Sequence, residues 1–192
     1  MINGAWSKSE LKFPEGFKFG SATSSYQIEG GWNASDKTPS VWDEFTQVER
    51  EVIVDRSNGN IACDSYNKWQ DDIQMAADLG LDFYRFSIAW PRILPNGTPE
   101  LVSKDGTRYY NDLINGLLEK GIEPVVTMYH WDLPQRLQNL GGWTNPLIIH
   151  WFGEYSRVLY NLFGDRIKNW ITINEPIAVC TITYSMNIFP PN

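Results

Sequence analysis

The chain has 192 residues and a formal net charge of −7. Of its residues 42% are hydrophobic and 14% are aromatic, including nine Trp. This length and apolar content exclude a disordered tail and indicate a single domain, 1–192, with a sizeable core. The acidic balance argues against a nucleic-acid or anionic-membrane partner, and no apolar run of 18 residues predicts a membrane span.

Strands and helices alternate along the first half of the sequence. Residues 17–27, rich in Gly, Ser and Thr, predict a strand that leads into a loop. A helix is predicted from Asp64 to a C-cap at Gly80. Its inward positions follow a spacing of three and four residues, at Tyr66, Trp69, Ile73, Ala76 and Leu79. Residues 82–89 then alternate with the period of a strand.

The alternation continues to the end of the chain. A second helix, with Tyr110, Leu113, Ile114, Leu117 and Leu118 on its inner face, ends near Gly121, and residues 122–129 predict the next strand. A third helix is predicted to open with Asn145 as N-cap and Pro146 as first helical residue. Its inner face is formed by Trp151, Tyr155, Val158, Leu159 and Leu162. Residues 169–173 predict a further strand.

Repeated strand–helix–strand units predict parallel strands, in an eight-stranded barrel or an open doubly wound sheet. No GxGxxG or GxxxxGK[ST] loop follows any strand, which disfavours a nucleotide-binding open sheet. Polar and aromatic residues follow the strands instead, at 130–132 and at 174–175. A complete (β/α)8 barrel takes about 250 residues, so four strands predict an α/β fold with only the N-terminal half of such a barrel, about four βα units.

Asn174 and Glu175 directly follow the last predicted strand. Retaining glycosidases use a carboxylic acid as proton donor and a second carboxylate as nucleophile, with hydrogen bonds to the sugar 2-OH. An amide beside a carboxylic acid fits half of this scheme, and Pro176 is expected to hold Glu175 in extended geometry. The alternative is that Asn-Glu-Pro starts a helix, with Asn174 or Glu175 stabilising its N-terminus.

Four segments in this order resemble one known family, glycoside hydrolase family 1. They are FKFGSATSSYQIEGG at 17–31, YRFSIAWPRI at 84–93, VTMYHWDLPQ at 126–135 and TINEP at 172–176. The pattern is closest to animal β-glucosidases, including insect and aphid thioglucosidase-like members. The resemblance is expected to run from about Phe13 to Cys180 and to fray beyond it, where IFPPN at 188–192 replaces the usual continuation.

The resemblance implies a small-molecule β-glycoside substrate and roles for the matching residues. Gln27 would bind hydroxyls at the far side of the glycone, His130 its 3-OH and Asn174 its 2-OH, while Trp131 would form a wall of the pocket. The aromatic residues fit stacking on sugar rings as well as core packing. The structural alternative for Gln27 is a polar loop residue with its hydrogen bonds satisfied. The structural alternative for His130 is a histidine packed in the core.

The resemblance also assigns the chemistry. Glu175 would protonate the leaving group and then act as base on water, and Arg85 would lie under the nucleophile and keep it ionised. The alternative for Arg85 is a structural ion pair. Glu29 and Asp132 are expected to orient loops. The family requires neither cofactor nor metal.

No segment matches the Glu-Asn-Gly that carries the family's nucleophile. The sequence therefore predicts a β-glucosidase-type retaining hydrolase by family, in a chain that alone is inactive. The alternative function is a catalytically inactive truncated product that acts as a sugar-binding relic or an interaction partner. The uncovered edges of a half barrel predict self-association. The aglycone and the exact glycone remain open.

Localisation remains open as well. Residues 1–16 contain no apolar run of signal-peptide length, so the chain as it stands is expected in the cytoplasm, or outside the cell if an upstream signal is missing. Asn33 and Asn96 begin N-glycosylation sequons, which without a secretory signal decide nothing. Cys63 and Cys180 are expected to be reduced thiols in or beside helices.

Overall fold

The computed structural model describes residues 12–48 and 53–191. Its strands are β1 (Gly20–Ala22), β2 (Phe83–Ser87), β3 (Glu123–Tyr129) and β4 (Asn169–Ile173). Its α-helices are α1 (Ser25–Ile28), α2 (Val41–Val48), α3 (Ser65–Asp78), α4 (Trp90–Ile93), α5 (Lys104–Glu119), α6 (Gln135–Gln138), α7 (Ile148–Phe163) and α8 (Pro176–Ala178). A 3-10 helix covers Gly142–Thr144 and a π-helix covers Val179–Ser185. Residues 1–11, on which most of the leader expectation rests, lie outside the described residues.

The four strands form one parallel sheet in the order β1-β2-β3-β4. Tyr84 of β2 lies opposite Ser21 of β1 and Pro124 of β3, and Val126 of β3 lies opposite Trp170 of β4. Parallel neighbours need long crossovers, which contain α3, α5 and α7. The carboxyl ends of all four strands therefore lie at one edge of the sheet, as the sequence predicts.

Glycine ends the two helices that precede β2 and β3, as expected. Gly80 has φ +67° and Gly121 has φ +74°, a left-handed conformation that costs a residue without Cβ little. After Gly80 the Leu81 N–H donates to the Ala76 carbonyl at 3.2 Å, and the Gly80 N–H donates to the Ala77 carbonyl. These two bonds form a Schellman motif, and α5 ends with the same motif. This turn leads the chain directly into the next strand.

The core lies between the sheet and the long helices. Its fully buried members include Ile88, Trp90, Ile114, Leu117, Val126, Met128, Tyr155, Leu159 and Phe163. Two positions of the predicted inward faces are exposed instead, Leu79 at 73% and Leu118 at 40%. Leu79 lies beside β1, an outer strand that no described element covers on that side, and Leu118 lies at the flank of the α5 face.

The start of α7 also differs from the prediction. The helix begins at Ile148, with Leu147 as its N-cap. The Asn145 side chain accepts from the Leu147 N–H at 2.9 Å, and the Ile148 N–H bonds to the Asn145 carbonyl. Asn145 thus closes a separate turn through Pro146 before the helix starts, because its short side chain competes for the nearest backbone N–H.

Candidate functional site

A cleft of about 1100 Å³ opens at the carboxyl ends of the strands. The residues singled out from the sequence all line it, namely Gln27, Arg85, His130, Trp131, Asn174 and Glu175. Its wall also contains Ser24, Tyr26, Trp42 and Phe189. The fold therefore brings together side chains from the loops after β1, β3 and β4 and from β2. Their individual roles stay predictions.

Glu175 makes the turn between β4 and α8. Its φ of 47° and ψ of 61° are left-handed, so the predicted extended geometry is wrong. Asn174 and Glu175 are the only two residues between β4 and α8, and the Glu175 carbonyl already accepts from the Val179 N–H, so the chain reverses at Glu175. Pro176 does open α8, but no Glu175 side-chain bond caps that helix. The exposed carboxylate is therefore available to the cleft.

Trp131 shares this unusual backbone, with φ 72°. A left-handed conformation costs a residue other than glycine about 1–2 kcal/mol. Such conformations persist only where surrounding contacts impose them, and they concentrate at functional sites. Of the seven such residues other than glycine in the described part of the chain, Trp131 and Glu175 are the two that line the cleft, and they lie after neighbouring strands.

Asn174 is the hub of the polar contacts. Its side-chain oxygen accepts from Arg85 Nη2 at 2.6 Å, and its nitrogen lies 3.3 Å from His130 Nε2. Its backbone carbonyl accepts from Trp131 Nε1 at 2.9 Å. Because a guanidinium only donates, Arg85 fixes the amide with its oxygen toward β2 and its nitrogen toward His130.

Arg85 has neutral partners within the described part of the chain. Besides Asn174, it donates through Nε to Thr127 Oγ1 at 2.9 Å, and it has no carboxylate within ion-pair distance there. A guanidinium that is partly buried without a counterion favours an anionic neighbour. This arrangement gives no support to the alternative of a structural ion pair.

His130 is neutral near pH 7. Burial, and secondarily the positive charge of Arg85, lower the pKa of His130 to about 4. Since the Asn174 amide nitrogen donates toward Nε2, the ring proton belongs on Nδ1, which is buried without a partner among the described residues. A neutral imidazole can exchange hydrogen bonds with hydroxyl groups without adding a charge.

Gln27 lies on the rim. It belongs to α1 and is exposed, and its side-chain oxygen accepts from Ser24 Oγ at 2.8 Å. This bond fixes the oxygen of the amide, so the NH₂ group keeps its two donors for other acceptors. The position matches a polar contact at the mouth of the cleft.

Sequence reasoning missed an aromatic wall. Ring centroids of Tyr26 and Trp42 are 5.5 Å apart, those of Trp42 and Phe189 5.4 Å, and those of Trp131 and Phe189 6.0 Å. The high Trp content was the available signal, but composition does not separate core from cleft. Phe189 lay in the segment set apart as atypical, and only the fold brings it to Trp131.

Glu29 and Asp132 lie beneath the cleft. Glu29 accepts from Arg92 Nε at 2.9 Å and from the Tyr110 hydroxyl. Asp132 accepts from the Ser25 hydroxyl, and both acids are at most 4% exposed. Such buried contacts agree with the expected loop-orienting roles.

Three further observations concern the described residues. Within 12–48 and 53–191, no cluster of three or more His, Cys, Asp or Glu could hold a metal ion. No helix in these ranges has the length and apolarity required to cross a bilayer. Cys63, just before α3, and Cys180, in the π-helix, are exposed free cysteines.

Comparison with known proteins identifies the family. The profile described as Glycosyl hydrolase family 1 matches residues 9–192, and the chain belongs to that family. It is 55% identical over 183 residues to Myrosinase 1 of Brevicoryne brassicae, covering 95% of this chain and 39% of that protein. It is 45% identical to the cytosolic β-glucosidase of Homo sapiens, covering 94% and 39%. The chain thus spans about two fifths of the length of these curated relatives.

Solved structures confirm the fold. Aphid myrosinase matches with a TM-score of 0.92 at 55% identity, covering 95% of this chain and 39% of that chain. The β-glucosidase from Thermotoga maritima in complex with castanospermine matches with a TM-score of 0.91 at 52% identity, covering 94% and 40%. The described sheet and helices are therefore part of a (β/α)8 barrel, and the expected likeness to insect thioglucosidase-like members is confirmed.

The expected limits of the resemblance were wrong. The family profile continues past Cys180 through residue 192, so the segment IFPPN belongs to the match. Its residues differ from the pattern expected there, yet Phe189 packs on Trp42 and Trp131.

Proposed function

We propose that the protein containing these residues is a retaining β-glucosidase-type O-glycosyl hydrolase that acts on small-molecule β-glycosides in glycoside metabolism. The observation that carries the proposal is Glu175 just after β4, beside Asn174 and in the same cleft as Gln27 and His130. Supporting it, relatives are named β-glucosidases, and Thermotoga maritima structures hold castanospermine or deoxynojirimycin.

In the proposed reaction Glu175 acts twice. It first donates its proton to the glycosidic oxygen while a second carboxylate, about 5–5.5 Å away, attacks the anomeric carbon. It then removes a proton from the water that releases the sugar. Of the described residues that line the cleft, Glu175 is the one carboxylate. The nucleophile must therefore come from elsewhere in the protein.

The remaining side chains bind and orient the sugar in this proposal. Asn174, held by Arg85, presents its amide to the 2-OH, neutral His130 contacts the 3-OH, and Gln27 contacts hydroxyls at the far side. Trp131 walls the glycone. Arg85, whose partners among the described residues are neutral, supplies the positive charge that keeps an approaching carboxylate ionised.

The same geometry supports a second function for the 192 residues by themselves. A cleft with sugar-binding groups and one carboxylate can bind a sugar without hydrolysing it. General acid catalysis alone contributes about 10²–10⁴-fold, less than the roughly 10⁶-fold or more of typical enzymes. We expect the isolated chain to show no turnover of an aryl β-glucoside, and turnover abolished by Glu175→Gln would contradict this.

A hybrid barrel tests the catalytic proposal. Residues 12–191 replace the matching segment of the Thermotoga maritima β-glucosidase, which is 52% identical over this stretch. The folded hybrid is expected to hydrolyse 4-nitrophenyl β-D-glucoside with retention and to lose turnover on Glu175→Gln. Glu154→Gln, on α7 outside the cleft, is the matched control. A hybrid with a cooperative melt and no turnover would overturn the proposal.

A further inference from the structure

The segment that carries Gln27 is short. The helix α1 has four residues, and a helix of that length is not stable in isolation. Its place is fixed by buried polar bonds at Ser25, whose N–H donates to Ser87 Oγ at 2.7 Å. The Ser87 hydroxyl donates back to Ser25 Oγ at 3.0 Å, and the Ser25 hydroxyl donates to Asp132. The three residues are at most 3% exposed.

We propose that Asp132 is a positioning residue of the cleft, acting through Ser25 on the segment that carries Gln27. Asp132 directly follows His130 and Trp131, so a single carboxylate joins the loop after β3 to the loop after β1. The role of Asp132 in sugar binding rests on the proposed function. The hydrogen-bond geometry that supports the inference is independent of that function.

The direction of the hydrogen bonds makes Asp132 the end of the chain. A serine hydroxyl has one proton, so Ser25 can satisfy Asp132 only by donating, and it must then accept from Ser87. Among the described residues Ser25 gives Asp132 its one side-chain hydrogen bond, since the second oxygen of Asp132 is buried without a partner. Hydrogen bonds to carboxylates are the stronger kind, so this bond is well placed to order α1.

The charges around Asp132 determine the conditions for a test. Glu29, Lys37, Asp43 and Arg92 line the same small cavity as Asp132. Burial and, to a smaller degree, Glu29 raise the pKa of Asp132 to about 7, with Lys37 acting against them. At pH 8.5 the group is therefore largely a carboxylate, and its role as acceptor is defined.

The chain offers a matched control. Ser40 is 1% exposed, and its hydroxyl donates to the buried Asp43 at 2.8 Å. This pair resembles Ser25 and Asp132 in burial and in its serine-to-aspartate hydrogen bond, and its residues line the same cavity, while Asp43 also accepts from the Ser40 N–H and from Lys37. It fastens the start of α2 and makes no described bond to α1. The control therefore separates the effect of losing any buried serine–aspartate bond from the effect of losing the bond between Ser25 and Asp132.

Hydrogen exchange of the complete 192-residue chain at pH 8.5, read by mass spectrometry, tests the inference. Ser25→Ala is expected to speed exchange in residues 24–31 about tenfold, the size for one hydrogen bond to a charged group, and to leave α5 unchanged. Ser40→Ala should affect the start of α2 and leave 24–31 unchanged. The double variant Ser25→Ala/Asp132→Ala should speed exchange at 24–31 by less than the product of the two single effects, because both substitutions remove the same Ser25–Asp132 bond.

Two results would overturn the inference. One is an exchange rate at 24–31 in Ser25→Ala that equals the wild-type rate. The other is an equal increase of the exchange rate at 24–31 and in α5, which indicates global destabilisation. If Asp132→Ala does not fold, the comparison of Ser25→Ala with Ser40→Ala decides alone. Titration with 1-deoxynojirimycin is a separate arm: loss of affinity in Ser25→Ala but not Ser40→Ala supports the inference. Absence of binding by the wild-type chain counts against the sugar-binding function of the 192 residues by themselves and leaves the exchange result intact.

Discussion

The two sides of the cleft are built differently. Under Gln27 and Trp131, a layer of buried polar bonds ties α1 to the ends of β2 and β3. On the other side, β4 leaves Thr172 exposed, and the exposed Glu175 follows two residues after its end. Within the described residues β4 pairs with β3 alone. The candidate binding groups are therefore preorganised by this chain's own packing, whereas the candidate acid lies at an outer strand.

The largest expected effect concerns Glu175 in the hybrid barrel. Glu175→Gly should slow cleavage of poor leaving groups by about 10²–10⁴-fold, the usual contribution of general acid catalysis. Activated aryl leaving groups should still form the glycosyl-enzyme, because they do not need the proton. Azide needs no general base, so it should restore turnover and yield the β-glycosyl azide, identified by NMR.

The opposite product would reverse the assignment. If azide gives the α-glycosyl azide, and the Glu175→Gly hybrid is not labelled by a fluorosugar with an activated leaving group, then Glu175 is the nucleophile. Glu154→Gly, at a half-buried position of α7 outside the cleft, should change neither the rate nor the product. It controls for the loss of a carboxylate as such.

The second prediction compares stability on the two sides. Met128 of β3 is 0% exposed, and Ile177 of α8, beyond β4, is 80% exposed. Met128→Ala should lower the free energy of unfolding by about 2–5 kcal/mol, through lost burial and the cavity left behind. Ile177→Ala should stay within about 0.5 kcal/mol. Urea denaturation measures both, and equal losses would remove the distinction between the two sides.

The fold was predictable because its signals are local. Alternation in 82–89 determines a strand, and Gly80 and Gly121 determine two helix ends, within a few residues. The strand β4 has the predicted bounds. The backbone of Glu175 was not predictable, because it depends on how closely α8 follows β4, with Asn174 and Glu175 as the two residues between them. Phe189 on Trp131, and Ser25 on Asp132, are contacts between distant segments that no local pattern contains.

The third prediction concerns the outer strands themselves. Among the described residues, β1 and β4 each pair on one side only, and apolar side chains such as Ile177 and Leu79 are exposed beside them. Uncovered strand edges and apolar surface promote association. The average mass of the isolated chain in sedimentation should therefore increase with concentration. A single monomeric species at every concentration, with a cooperative melt, would contradict this.

The smallest expected effect is in the pH dependence of stability, where two neighbouring residues act in opposite directions. The pKa of Asp132 is raised from 3.8 to about 7, mainly by burial. Between these values the folded state binds the extra proton, so this residue makes stability fall as pH rises. The pKa of His130 is lowered from 6.5 to about 4. The unfolded state then binds the extra proton, so His130 makes stability rise with pH.

These slopes oppose each other in the wild type, and single variants should separate them. Asp132→Asn removes the falling contribution, so its free energy of unfolding should rise more steeply than that of the wild type between about pH 4 and 6.5. His130→Gln removes the rising contribution and should give a curve that falls more steeply over the same window. Urea denaturation at constant ionic strength measures both curves. If the stability curves of both variants run parallel to the wild-type curve, then neither Asp132 nor His130 titrates with the shifted pKa that its surroundings impose.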